Sequence, residues 1–137
     1  MDRREIIMKH YNDPKNRKRI SDSSYIVENT SNSSCIDNLD IYIKIKDGAI
    51  ADIAFDGEAC AISISSASIM SDNLKGKSLV DASNYVNNME NMLNGKNYDS
   101  DILKEAAIYE YVKDTSRKTC AWLPYEAVKK ILTCYKN

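Results

Sequence analysis

No stretch of this chain approaches the 18 or so consecutive apolar residues that a membrane-spanning helix requires, so none is expected. Met1-Asp2-Arg3-Arg4-Glu5 runs straight into charged helical sequence without the apolar segment of a signal peptide, and the expected location is cytoplasmic. Prolines number two and glycines four, and with no repeat or low-complexity tract they leave no linker, so residues 1–137 read as one domain. A surplus of charge is missing as well. Nineteen basic residues stand against 20 acidic ones, interspersed, and the basic run Lys15, Arg17, Lys18 and Arg19 beside Asp13-Pro14 reads as a solvated face. Neither nucleic acid nor membrane is an expected partner. A chain of this length buries about two thirds of its unfolded surface, so neither disulfide nor metal is needed for folding.

What is present reads as strands followed by helices. Asp2 caps a helix over about 3–11, which Asn12-Asp13-Pro14 ends. A strand is expected over 25–30. Leu39, Ile41, Ile43 and Ile45 then alternate with polar residues, the period of a half-buried strand, and Asp47-Gly48 turns the chain into a return strand over 50–55. After Cys60 the period becomes helical over 61–75, although Ser63, Ser65, Ser66 and Ser68 make that helix intrinsically weak. Ser78 with Asp81 forms a capping box for a helix that stops at Asn94-Gly95. Another helix is expected over 101–113 and a last one after Cys120, its start delayed because Pro124 belongs in a first turn. The expected fold is α+β: a small antiparallel sheet of about three strands packed against four to five helices.

Four cysteines in a reducing compartment argue for metal or catalytic thiols before disulfides. Cys35, Asp37, Cys60 and Cys120 supply three thiols and a carboxylate, a plausible tetrahedral shell. The paired knuckles of a structural zinc site are absent, and a hard oxygen among soft sulfurs favours ligand exchange, which points to sulfur or iron–sulfur chemistry. Cys35 and Asp37 sit on one loop before a strand, while Cys60 and Cys120 open helices, where the unsatisfied N–H groups favour thiolate. Cys134 reads as a buried core residue, His10 as a structural helix residue, and Trp122 and Leu123 as packing residues.

Taken together, these segments resemble the U-type iron–sulfur scaffold family (IscU, SufU and the N-terminal domain of NifU). The resemblance rests on His10-Tyr11-Asn12-Asp13-Pro14-Lys15-Asn16, on Cys35-Ile36-Asp37, on Phe55-Asp56-Gly57-Glu58-Ala59-Cys60, on the serine-rich helix from Ser63 to Ser71, and on Cys120. It is nearest the SufU branch. Thr119 rather than His precedes Cys120, no LPPVK motif lies within 112–118, the interval from Cys60 to Cys120 is long, and Arg117 matches a basic residue of that branch. Ile36 and Ala59 stand where the family has glycine, so a positive φ at either would strain its loop.

The resemblance implies a Zn²⁺ site on Cys35, Asp37, Cys60 and Cys120, with Cys35 accepting sulfur from a pyridoxal-phosphate cysteine desulfurase, in the manner of a zinc-dependent sulfurtransferase. The alternative it implies is a scaffold that assembles a labile 2Fe–2S cluster on the same residues and passes it to apo iron–sulfur proteins or a downstream scaffold. A purely structural zinc module is the third reading, disfavoured because the residues span the chain.

Overall fold

The computed structural model of the chain describes residues 1–32 and 36–135. Helix α1 covers Arg3–Asn12 and is started by Asp2, whose carboxylate accepts the Glu5 N–H at 2.9 Å. Three strands follow, β1 (Ile26–Ser31), β2 (Asn38–Lys46) and β3 (Ala49–Glu58), forming an antiparallel sheet in the order β1-β2-β3. The β2–β3 turn places both Asp47 and Gly48 at positive φ, as a two-residue hairpin turn matching strand twist demands. Ile26, Glu28 and Thr30 pair with Ile43, Ile41 and Leu39, so these alternate residues share the sheet's inner face. Leu39, Ile41, Ile43, Ile53 and Phe55 are fully buried there. Each such side chain contributes about 1.5–3 kcal/mol.

Helices α2 (Ala61–Leu74), α3 (Leu79–Leu93) and α5 (Lys118–Tyr135) carry most of the remaining core, α2 and α5 packing on the sheet and on each other. The capping box at α3 is formed, Ser78 Oγ accepting the Asp81 N–H at 3.1 Å. The low helix propensity of α2 is offset by its neighbours, because three of its buried serines bond other elements, Ser66 the Ala121 carbonyl, Ser68 the His10 ring and Ser65 the Tyr109 hydroxyl, while Ser71 donates within the helix to Ala67. Among the described residues no buried side-chain nitrogen or oxygen lacks a partner.

Two helix expectations need correcting. The helix expected over 101–113 is a single turn, α4 (Ser100–Leu103), followed by a 3₁₀ helix over Lys104–Val112, because Lys104 at φ +52° breaks the α-ladder. The last helix begins at Lys118 rather than after Cys120, and Pro124 lies inside it. Proline removes the N–H that would bond the Cys120 carbonyl. That carbonyl is bonded instead by the Ser63 hydroxyl at 3.0 Å, so the interior proline is tolerated.

The basic run is exposed surface, and its two arginines are ion-paired. Arg17 and Arg19 bridge Asp40 and Asp56, which face each other across β2 and β3.

Candidate metal centre

Three carbonyls of the α5 segment around Pro124 receive side-chain hydroxyls: Cys120 from Ser63, Ala121 from Ser66, and Leu123 from Thr30 at 3.0 Å. These bonds pin the start of α5 against α2 and β1, and so carry Cys120 to the N-terminus of α2. Cys60 is the N-cap of that helix. The loop joining β1 to β2 is held at its ends, where Asn32 donates its N–H to the Asp37 carbonyl and its side-chain amide to Thr119 at 3.0 Å. Asp37 therefore arrives at the same place from the sheet.

The result is a cluster in which the ligating atoms of Asp37, Cys60 and Cys120 all lie within 4.8 Å of one another. Asp37 is 2% exposed and Cys120 4%, while Cys60 is half-buried. The Asp37 carboxylate is oriented on both oxygens. Oδ1 accepts the Cys60 N–H at 2.8 Å, and Oδ2 lies 2.8 Å from the Ser63 hydroxyl and 3.5 Å from Cys60 Sγ. Having one proton, Ser63 donates to Asp37 or to the Cys120 carbonyl at any moment. On the far side, Arg117 bonds Cys120 and feels the charge of Cys60, which together hold its guanidinium pKa above the ordinary arginine value.

Two thiolates and a carboxylate at this spacing suit zinc, whose bonds to sulfur and carboxylate oxygen run about 2.0–2.3 Å and whose tetrahedral shell needs four donors. The donor set and its hydrogen-bonded carboxylate therefore fit the ion. Cys35, expected as the fourth donor and as the sulfur acceptor, lies outside the described residues.

Three of the four expected site residues thus come together. Cys134 does not belong to the core: it is exposed on the last turn of α5, a correction that arises because that turn runs past the core, leaving Cys134 and Tyr135 outside although Cys134 shares a helix face with buried Ile131. His10 is a buried structural residue, bonded to Ser68 at 2.7 Å and Glu105 at 3.1 Å. Trp122 stacks on Tyr125 and Leu123 is in the core. Ala59 does not adopt positive φ, so the loss of glycine strains nothing there, while the backbone joining Ile36 to Cys35 lies outside the described residues. The glycine this region does need is Gly57, at φ +139°, where a Cβ would stand 2.2 Å from the Asn38 carbonyl oxygen. Ser63 was not singled out from the sequence as a site residue. The signal was its spacing, three residues after the helix-opening Cys60 and therefore on the same face.

The sequence profile described as the NifU-like N terminal domain matches residues 2–137. The chain is 34% identical over 129 residues to the zinc-dependent sulfurtransferase SufU of Bacillus subtilis, spanning 93% of this chain and 86% of that one. It is 30% identical to the iron–sulfur cluster assembly scaffold protein IscU of Thermotoga maritima, spanning 93% and 90%. A crystal structure from Fervidobacterium islandicum, described as an iron–sulfur cluster assembly scaffold protein for the SUF system, superposes with a TM-score of 0.88. It is 31% identical and covers 93% of this chain and 94% of its own. The three-stranded sheet and its helices are the fold of these relatives.

Proposed function

Because the chain belongs to the NifU-like N-terminal domain family, we propose that it serves iron–sulfur cluster assembly as a zinc-bound sulfur acceptor for a pyridoxal-phosphate cysteine desulfurase. The observation that carries this reading is the convergence of Asp37, Cys60 and Cys120 from a strand loop and two helix starts, with Cys35 two positions before Asp37 in the sequence. Zn²⁺ held by these four residues would supply an environment that keeps the thiols deprotonated without redox chemistry of its own. Asp37, fixed by the Cys60 N–H and Ser63, keeps the loop in place, and Arg117 offsets thiolate charge at Cys120 and Cys60. Cys35, two positions before Asp37 in the sequence, is the nucleophile. Its thiolate bonds the terminal sulfur of the desulfurase's cysteine persulfide, the persulfide S–S bond breaks, and the desulfurase cysteine leaves as thiolate.

A second reading has its own support in Asp37. A carboxylate holds a 2Fe–2S cluster less firmly than a thiolate, which suits a scaffold that gives the cluster away, the role named for the Thermotoga relative. Metal analysis with a visible spectrum separates the two. Aerobically purified protein with about one zinc and no visible absorption supports the sulfur acceptor, and a stable brown protein with negligible zinc supports the scaffold. Desulfurase turnover then tests the acceptor: wild type and Cys134→Ser should stimulate it, and Cys35→Ser should not. Equal stimulation by wild type and Cys35→Ser removes the assigned role of Cys35.

A further inference from the structure

The sheet closes one of its edges and leaves the other open. On the outer side of β3, Phe55 donates to the Asn16 carbonyl at 3.1 Å and accepts from Lys18 at 2.9 Å, while Ile50 donates to Lys77 and accepts from Gly76, both at 2.8 Å. Strand β1 pairs with β2 alone, and among the described residues no backbone hydrogen bond reaches its other side. Unpaired strand edges are templates for another strand, and proteins commonly blunt them with lysine, proline or a bulge. The edge strand Ile26-Val27-Glu28-Asn29-Thr30-Ser31 contains no lysine or proline and pairs with β2 in unbroken register. Val27 stands 50% exposed on the outer face.

Beside this edge a groove of about 510 Å³ runs between β1 and the last turns of α5, lined by Ile26, Glu28, Lys130, Ile131, Cys134 and Tyr135. We propose that a second copy of this chain adds its β1 antiparallel to this edge, joining two three-stranded sheets into one of six across a twofold axis. Charge selects this occupant. A twofold interface must be complementary to itself, and of the groove's two acidic and two basic side chains Glu126 is bonded to Trp122 and Lys129 to Glu90, which leaves one of each sign, Glu28 and Lys130, with no side-chain partner among the described residues. The twofold sets each Glu28 toward the partner's Lys130.

Like charges directly opposite each other destabilise a strand pair, which excludes the register that sets Glu28 on the partner's Glu28. A register centred on Val27 avoids that pairing, covers the exposed Val27 with the partner's Val27, and turns Ile26 of each copy into the groove near Ile131 and Tyr135. Lys130 lies ten residues along α5 from Cys120, about 15 Å, which sets the charged contact of this interface apart from the metal cluster.

Sedimentation velocity of the metal-loaded protein from about 2 to 200 µM tests this. The wild type should show a dimer fraction that rises with concentration. Val27→Lys should weaken association at least tenfold with an unchanged far-UV spectrum. Glu28→Lys should weaken it too, and Glu28→Lys/Lys130→Glu should restore it. Alkylation of Cys134 should slow at concentrations that favour the dimer. A wild-type chain that is monomeric throughout, or a dimer indifferent to Val27→Lys, overturns the proposal. So does a monomer that a cysteine desulfurase binds in a Val27-dependent way, since the edge would then belong to a different protein.

Discussion

At Gly57 the backbone itself limits what can be substituted. Its φ of +139° and the 2.2 Å approach of Asn38 O to a virtual Cβ mean that alanine must push β2 and β3 apart, where Arg17 also bonds the Gly57 carbonyl at 2.6 Å. Gly57→Ala should cost about 2–4 kcal/mol, read from the denaturant midpoint, and a loss under 0.5 kcal/mol would show that the strand pair yields freely. Tyr25 and Asp52 give a residue-scale pH dependence. The hydrogen bond to Asp52, followed by burial, pushes the Tyr25 pKa up to about 12. Partial burial opposes ionisation of Asp52, but bonds from Tyr25 and Lys75 outweigh it and lower its pKa. A raised tyrosine pKa stabilises below the unfolded value near 10 and loses that contribution as pH rises through 12. A lowered carboxyl pKa stabilises above the unfolded value near 3.8 and loses it as pH falls through the folded value. The stability difference between wild type and Tyr25→Phe should therefore be flat from about pH 5 to 9 and shrink on both sides, measured as urea midpoints. A difference that does not vary with pH would show that the pair contributes nothing.

At the scale of elements, α5 keeps an internal proline because α2 supplies the missing donor. Ser63→Ala should cost about 1–3 kcal/mol by removing the one hydroxyl proton that the Cys120 carbonyl and Asp37 share. In a Pro124→Ala background the helix can bond that carbonyl itself, so the same substitution should cost less by at least about 0.5 kcal/mol in a double-mutant cycle of unfolding free energies. Strict additivity would show that the two groups do not share the carbonyl. The same bond places Cys120 beside Cys60, so a local irregularity in one helix and a polar face on another position the site together.

For the whole molecule, the cluster joins one strand loop to two helices around a core that is complete without it. Fully buried Ile41, Phe55, Met70, Tyr85, Tyr125 and Val128 come from β2, β3, α2, α3 and α5, so chelation should lower stability by mass action and leave the fold in place. At a hundredfold excess of free zinc over its dissociation constant the difference is about 2.7 kcal/mol, seen as a lower melting temperature with a retained far-UV spectrum. Collapse of that spectrum on chelation would make the metal a structural one.

The sequence alone determined what depends on local rules. The alternation of Leu39, Ile41, Ile43 and Ile45, the Asp47-Gly48 turn, the caps at Asp2 and Ser78, and the positions of Cys60 and Asp37 beside strand and helix ends are all set by backbone periodicity and turn chemistry within a few residues. Tertiary structure decided what depends on partners far along the chain. Pro124 reads as a helix start until Ser63, 61 residues earlier, is seen to bond the Cys120 carbonyl. Lys104 breaks the expected helix with a positive φ that its own side chain does not favour. Cys134 shares a helix face with buried Ile131, but the last turn of α5 extends past the core and leaves it exposed, and the role of Ser63 exists only where α2, α5 and the Asp37 loop meet. Periodicity reports which face a residue occupies, whereas hydrogen-bond satisfaction and the outer limits of the core are settled only when the elements pack.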